Sequence, residues 1–216
     1  MKHLPNAVIF DLDGTLLDTI EDMTDAVNAA LEKQGYPTRS VDDVKCMVGE
    51  GPTAFANAAL PSKARQPEII ANLIKEYRAE YAQRWTQKTR PYPGILDLLK
   101  GLNDRCIAIS ILSNKREEVV KEAVAHFLPG IAFEEIRGAR PETPLKPDTT
   151  AALQLAQRIG SAPKQMLFVG DTKTDMQTAC SANMTGVGVL WGFRTADELR
   201  RHGARHLVRN PLEILT

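Results

Sequence analysis

Cysteine is scarce in this sequence, and neither sign of charge is in excess. Its three cysteines, Cys46, Cys106 and Cys180, are far apart and form no Cys-x-x-Cys pair, which argues against a disulfide framework and a structural zinc site. We expect them to be small hydrophobic side chains in the core. Lys and Arg total 27, and Asp and Glu also total 27, so net charge does not favour nucleic acid or an anionic membrane as a partner.

Long apolar runs are also missing from the sequence. The apolar stretch near the start is cut short by Asp11, and no segment of about 18 apolar residues occurs elsewhere, so neither a signal peptide nor a transmembrane helix is predicted. We expect a cytoplasmic protein with no membrane partner. A length of 216 residues suits one substantial core with a modest insertion. Nothing in the pattern indicates the oligomeric state.

Short apolar runs alternate with stretches of helical periodicity along most of the chain. The strongest strand candidates are residues 7–10, 106–112, 166–170 and 185–190, and weaker ones are 131–136 and 206–208. The segments between them carry apolar residues at spacings of three and four, as amphipathic helices do. This alternation predicts an α/β fold with a doubly wound, Rossmann-like parallel sheet that is covered by helices on both faces.

The alternation is interrupted once, between the first strand and Cys106, by helix signals without a convincing strand. We predict that residues 16–84 form an inserted, all-helical cap domain, and that residues 1–15 and 85–216 form the α/β core. Ser40 and Asp43 have the spacing of a capping box for a short cap helix. Pro91 and Pro93 predict a stiff return segment, and an insertion with two connections can hinge.

Polar residues follow three of the predicted strands at the point where each strand ends. Residues 11–15 follow the first strand, residues 113–115 follow the second, and Asp171 and Asp175 follow a third. Because ligands of open parallel sheets bind beyond the carboxyl ends of the strands, we expect these groups to converge. Lys146, which precedes a proline and a predicted helix, is a fourth contributor.

Gathering the carboxylates of Asp11, Asp13, Asp171 and Asp175 at one place is unfavourable without a cation. Two like charges about 4 Å apart repel by about 4 kcal/mol at an effective dielectric constant of about 20. Carboxylate oxygens with no His or Cys nearby suit Mg²⁺, which often takes a phosphate oxygen as a further ligand. The pattern therefore indicates Mg²⁺ as the cofactor and a small phosphorylated metabolite as the substrate.

Four segments of the sequence resemble the motifs of the haloacid dehalogenase superfamily. They are DLDGT, SN at the end of a strand, a Lys-Pro pair and GDTKTD, in this order, and the resemblance extends from Ala7 to about Arg209. The segments TLLDT, ILSNK, MLFVGDT and GVLWGF are most similar to the phosphoglycolate phosphatase branch, whose members carry a helical cap after the first strand. The resemblance implies a haloacid dehalogenase-like fold and a phosphoric monoester hydrolase that works through an aspartyl-phosphate.

The resemblance also implies a role for each candidate residue. Asp11 is the nucleophile, and Asp13 is the general acid and base. Mg²⁺ is held by the Asp11 carboxylate, the Asp13 backbone carbonyl and Asp171, while Asp175 orients metal-bound water or Lys146. Ser113 and the Asn114 amide bind phosphoryl oxygens, and Lys146 offsets the charge on the nucleophile and the phosphoryl group. Thr15 supports the turn and is counted among the substrate-binding residues.

Two further residues are candidates for substrate contact. Glu50 lies between two glycines in the segment VGEGPT, which resembles a cap loop that closes on substrate, although a carboxylate there would repel an anionic substrate such as phosphoglycolate. Arg194 follows the segment WGF and either approaches the site or is solvated.

Other functions stay open on the sequence alone. A phosphomutase or a pyrophosphatase of the same superfamily would use the same residues. From other classes, a receiver-type signalling domain also phosphorylates an aspartate near Mg²⁺ and lysine but lacks the insertion, and a catalytically inactive interaction module would not need the intact motif set.

Overall fold

The structure is a computed structural model that describes residues 5–216. Its main sheet has six strands in the order β5–β4–β1–β6–β7–β8, and all neighbouring pairs are parallel. The strands are β1 (Ala7–Phe10), β4 (Ala108–Arg116), β5 (Glu135–Ala139), β6 (Met166–Gly170), β7 (Thr185–Val189) and β8 (His206–Val208). The predicted doubly wound parallel sheet is confirmed. Strand order reverses at β1, which places a ligand-binding crevice at the carboxyl ends of β1 and its neighbours.

Helices connect the strands of the sheet. They are α5 (Ile95–Asp104), α6 (Glu117–Phe127), α7 (Thr150–Ile159), α8 (Lys173–Ser181) and α9 (Ala196–Arg201). The strand β1 is completely buried, as expected for the central strand of a sheet that is covered on both faces. On one face, Ile9 and Phe168 pack in a cluster with Ala152 and Leu155 of α7. None of the helices in the described part of the chain is long and apolar enough to cross a membrane.

The chain divides into two compact units. One contains the residues up to Leu17 together with Pro91–Thr216, and the other is Asp18–Arg90. The predicted boundaries after residues 15 and 84 are therefore displaced by a few residues. The reason at the second boundary is Asp22, which is fully buried and accepts hydrogen bonds from the backbone N–H groups of Lys88 and Thr89, so this returning segment stays with the helical unit.

The helical unit consists of α1 (Ile20–Lys33), α2 (Val41–Met47), α3 (Pro52–Ala59) and α4 (Pro67–Ala82). The predicted capping box is present at α2, where the Ser40 hydroxyl accepts from Asp43 N and the Asp43 carboxylate accepts from Ser40 N. The pattern did not predict α3, which begins at Pro52. Two short strands, β2 (Leu17–Asp18) and β3 (Arg90–Pro91), pair where the chain passes from one unit to the other.

The cysteine prediction is wrong. Cys46, Cys106 and Cys180 are all exposed, because each occupies the solvent side of its helix or the turn after it. Two strand predictions are also displaced. The second predicted strand begins two residues later and continues through Arg116, and β5 begins at Glu135 instead of Ile131.

Candidate active site

Three carboxylates meet at the carboxyl ends of β1 and β6. Asp11 directly follows β1, Asp171 directly follows β6, and Asp175 lies in the first turn of α8. One ligand oxygen from each of these residues lies within 4.8 Å of the others, and none of the three residues is more than 7% exposed. The parallel register of β1 and β6 brings the strand ends to the same level, and this explains the convergence.

The ammonium group of Lys146 lies between two of these carboxylates. Its Nζ is 2.7 Å from Asp11 Oδ1 and 2.7 Å from Asp175 Oδ1. The lysine side chain is only 3% exposed, so both ion pairs are removed from solvent screening. The structure thus brings the predicted nucleophile and the predicted charge-offsetting lysine into direct contact.

Asp175 has a structural task as well as a place in the site. Its Oδ2 accepts hydrogen bonds from the backbone N–H of Thr172 at 3.0 Å and from the Thr172 hydroxyl at 2.6 Å, which completes a capping box at the start of α8. Its Oδ1 binds Lys146. The helix cap therefore fixes the carboxylate that orients the lysine.

Asp171 is held by two hydrogen bonds and by close packing. Oδ1 accepts from the Thr15 hydroxyl at 3.1 Å, and Oδ2 accepts from the backbone N–H of Phe193 at 2.8 Å. Gly14 has a φ of 83°, and a Cβ at Gly14 or at Gly192 would collide with the Asp171 side chain. Both glycines are therefore needed for the chain to pass this close to the carboxylate.

The structure places Thr15 in contact with one of the clustered carboxylates. Its side chain is fully buried, and its hydroxyl donates to Asp171, so it positions a candidate metal ligand. Its assignment to the substrate-binding residues stays a prediction. Its backbone carbonyl accepts a hydrogen bond from Trp191 Nε1 at 2.9 Å. The loop of residues 191–193 is thereby attached to the turn after β1.

The carboxylate of Asp13, the fourth predicted metal residue, contacts a lysine other than Lys146. Lys115 Nζ lies 2.8 Å from Asp13 Oδ1, and the two side chains are 12% and 9% exposed. The metal role of Asp13 was expected through its backbone carbonyl and stays a prediction. Its carboxylate is thus paired with a lysine of β4, a contact that the sequence interpretation missed.

Asn114 and Ser113, the two residues before Lys115 in β4, make different contacts. The Asn114 side chain accepts from Lys146 N at 2.8 Å and donates to Lys146 O at 2.9 Å, so it positions the backbone of the lysine. Ser113 is 4% exposed, and its hydroxyl accepts from the backbone N–H of Lys115 at 3.2 Å. Phosphoryl binding by Ser113 and by the Asn114 amide stays a prediction.

Burial and neighbouring charges shift the pKa values of Asp11, Asp171 and Lys146. Burial raises the pKa of Asp11 to about 7; the attraction of Lys146 opposes this rise, and the charges of Asp175 and Asp13 add to it. Burial also raises the pKa of Asp171 well above its ordinary value, with further contributions from Asp11 and Asp175. Burial lowers the pKa of Lys146, but the attraction of Asp11 and Asp175 outweighs this, so its pKa is raised.

This donor set fits a hard divalent cation. The cluster of Asp11, Asp171 and Asp175 presents carboxylate oxygens only, which are the ligands that Mg²⁺ prefers. A cation there would stabilise the ionised forms of Asp11 and Asp171, which burial and neighbouring carboxylates disfavour. Lys146 supplies one positive charge for three carboxylates and leaves the cluster short of cationic charge.

The two remaining candidates lie in different places. Arg194 follows the loop of residues 191–193, and its side chain is 9% exposed. Its Nε lies 3.3 Å from Glu198 Oε1, and its charge lowers the pKa of Asp171. It therefore approaches the site.

Glu50 is exposed between α2 and α3 of the helical unit, where Gly49 and Gly51 have positive φ angles. Its role toward substrate stays a prediction.

The similarity to known proteins extends over the core and the helical insertion. Residues 8–189 match the family described as haloacid dehalogenase-like hydrolase. The chain is 32% identical over 193 residues to a phosphoglycolate phosphatase of Pseudomonas putida, covering 88% of this chain and 71% of that protein. It is 31% identical over 203 residues to a phosphoglycolate phosphatase of Xanthomonas campestris, covering 91% and 88%. A crystal structure from Lactobacillus delbrueckii subsp. bulgaricus, of a protein with inferred phosphoglycolate phosphatase function, has a TM-score of 0.91 at 29% identity and covers 98% of this chain and 97% of its own.

Proposed function

Because the chain belongs to the haloacid dehalogenase-like hydrolase family, we propose that it is a Mg²⁺-dependent phosphatase that hydrolyses phosphoglycolate or a similar small phosphomonoester through an aspartyl-phosphate on Asp11. The observation that carries the proposal is the convergence of Asp11, Lys146 and two further buried aspartates at the sheet edge. The choice of phosphoglycolate rests on the activity named for the relatives.

In the first step Asp11 attacks phosphorus. One Asp11 carboxylate oxygen forms the new P–O bond, the bond from phosphorus to the leaving oxygen breaks, and Asp13 gives its proton to that oxygen. Lys146, held by its contacts to Asp11 and Asp175, offsets charge on the nucleophile and the phosphoryl group. Asn114 fixes the lysine backbone, so the ammonium is already in place before the reaction.

In the second step water hydrolyses the aspartyl-phosphate. Asp13, which is now ionised, takes a proton from the water while the water oxygen bonds to phosphorus, and the bond between phosphorus and the Asp11 oxygen breaks to release inorganic phosphate. The carboxylates of Asp11 and Asp171 would hold Mg²⁺, with Asp175 beside them. When bound, the ion would stabilise negative charge on the phosphoryl oxygens.

The alternatives differ in what they do with the phosphoryl group. A phosphomutase would pass it to a sugar hydroxyl, and a pyrophosphatase would take it from another phosphate. The helical unit of residues 18–90 and the family match favour a hydrolase over a receiver-type domain, and the intact set of site residues argues against an inactive module.

Phosphate release from a substrate panel tests the proposal. We expect Mg²⁺-dependent release from phosphoglycolate that exceeds release from sugar phosphates, nucleotides and pyrophosphate, and that stops on chelation with EDTA. An Asp11→Asn variant purified in the same way controls for contaminating phosphatases. Release that does not depend on Mg²⁺, or that persists in the variant, would contradict the proposal. A preference for pyrophosphate, or conversion of one sugar phosphate isomer into another, would favour an alternative.

A further inference from the structure

The contact between Lys115 and Asp13 places a second lysine at the site, apart from Lys146. Lys146 contacts the nucleophile, whereas Lys115 lies 2.8 Å from the residue that protonates the leaving oxygen. Lys115 is therefore on the side from which the leaving group departs. We propose that Lys115 binds the carboxylate of the substrate and selects phosphomonoesters whose leaving group carries an anionic group next to the ester oxygen. This inference rests on the proposed function.

The first argument is the size of the leaving group. In phosphoglycolate a single methylene separates the ester oxygen from the carboxylate. Asp13 must lie within a hydrogen bond of about 3 Å from the ester oxygen to protonate it. A cation that itself contacts Asp13 is then within reach of a carboxylate so close to that oxygen, but not of the far end of a long sugar or nucleotide.

The second argument is the chemistry of the ammonium group. A lysine ammonium has three N–H donors, and Asp13 Oδ1 accepts one of them, so one group can contact the acid/base aspartate and a substrate carboxylate together. Its side chain is 12% exposed, and a charge-assisted hydrogen bond is strong where water is scarce. Lys115 also offers a compact charge on a flexible stem, which suits a small carboxylate.

The third argument is the path of β4. This strand continues through Arg116, and its register against β5 shifts between Leu112 and Arg116. Within this stretch the Ser113 hydroxyl accepts from the backbone N–H of Lys115, while the Asn114 side chain binds Lys146. The residue predicted to bind the phosphoryl group and the proposed carboxylate-binding residue are therefore two positions apart at the end of one strand. A single buried strand end would fix the spacing between the two anionic groups of the substrate.

A pair of substrates that differ only in this charge tests the inference. One is phosphoglycolate, and the other is 2-hydroxyethyl phosphate, in which a hydroxymethyl group replaces the carboxylate. We expect Lys115→Met to lower the ratio of kcat/KM for phosphoglycolate to that for 2-hydroxyethyl phosphate by about 10- to 100-fold, mainly through KM. Lys115→Arg keeps the charge and should retain most of the preference.

Two further variants serve as controls. Lys115→Gln retains an N–H donor for Asp13 without the charge, and it replaces the Met variant if that protein does not fold; it too should lose the preference. Lys164→Met removes an exposed lysine next to the opposite end of β6 and should leave the ratio unchanged. Inhibition by the product glycolate gives an independent readout, because it needs no proton transfer. Its inhibition constant should rise in the Met and Gln variants, while that of inorganic phosphate stays within about twofold.

The outcomes separate this inference from the proposed function. If Lys115→Met slows both substrates by the same factor and glycolate inhibits it as it inhibits the wild type, Lys115 only positions Asp13, and the inference is overturned while the phosphatase stands. If the wild-type enzyme hydrolyses neither substrate, the phosphoglycolate assignment and this inference fail together.

Discussion

Two groups of charged side chains in the core unit have opposite charge balance. At the candidate site, one lysine contacts two of three clustered carboxylates, and burial raises the pKa of Asp11 to about 7. At the start of α6, the carboxylate of Glu117 contacts two cations, Arg140 at 2.9 Å and Lys121 at 2.6 Å. Burial alone would raise the pKa of Glu117, but these partners and the N–H of Gly138 lower it to about 2.

The difference shows how a functional cluster can be told from a structural one. Cations satisfy Glu117 within the chain, so the folded state is sufficient to stabilise its charge. The charges of Asp11 and Asp171 are not satisfied in this way, because burial and neighbouring carboxylates raise the pKa values of both groups. Replacing Asp11 or Asp171 should therefore impair function and spare stability, whereas replacing Glu117 should do the reverse.

The largest expected effect follows from removing the nucleophile. Asp11→Asn leaves no oxygen that can attack phosphorus, so activity on every substrate should fall by about 10⁴-fold or more, while the protein stays folded. Asp104→Asn, at an exposed position of α5, is the matched control and should keep full activity. Steady-state rates on an aryl phosphate and on phosphoglycolate are the measurement. Residual activity above 1% of wild type, a limit of about 10²-fold, would place the nucleophile elsewhere.

Asp13→Asn should have a smaller and more selective effect. The variant lacks the proton donor and acceptor, which typically contributes about 10²- to 10⁴-fold, and an aryl phosphate with a good leaving group needs that donor less than an alkyl phosphate does. Hydrolysis of the intermediate still needs a base, so phosphorylated enzyme should accumulate. Rapid quench with labelled aryl phosphate and peptide mass analysis should locate the label on Asp11. Label on Ser113, or equal losses for both leaving groups, would contradict the division of roles.

Asp171→Asn tests whether the buried carboxylate charge at the site lacks a compensating positive charge. Loss of one carboxylate should weaken Mg²⁺ activation by more than the about 10- to 100-fold that loss of an indirect partner of a metal costs. The metal-free variant should be at least as stable as the wild type, because the folded state of the wild type must bear a charge that burial disfavours. Metal titration of activity and thermal unfolding in EDTA measure the two effects. Unchanged Mg²⁺ activation together with a lower melting temperature would make Asp171 a structural residue.

The sequence was sufficient to predict which residues end the central strands. An apolar run that stops at Asp11 or Asp171 predicts both a buried strand and the edge where its carboxylate lies, because parallel strands share that edge. The capping signal at Ser40 is equally local, since Ser40 and Asp43 are three residues apart. The correct predictions therefore depend on short spacings and on the topology of parallel sheets.

The contacts that the sequence did not predict depend on how strands that are far apart in the sequence align with one another. Thr15 reaches Asp171, Asn114 holds Lys146, and Lys115 pairs with Asp13 only because neighbouring strands align at particular levels. Composition also does not decide which face of a helix a residue occupies, and for this reason the cysteines proved exposed. The boundary of the helical unit was missed because Asp22 binds the returning chain at Thr89.

The smallest expected effect on activity is at Glu117. Glu117→Gln should keep activity and Mg²⁺ activation but lower the free energy of unfolding at neutral pH by about 1 to 2 kcal/mol, less than the full pKa shift would give because Lys121 and Arg140 are partly exposed. A carboxylate with a depressed pKa stabilises the fold above its ordinary value of 4.5, and this contribution is lost as the pH falls toward 2. The difference between wild type and variant should therefore shrink between neutral pH and about pH 3, as measured by urea unfolding. A difference that stays constant over this range would show that Glu117 stabilises the fold through packing and not through its charge.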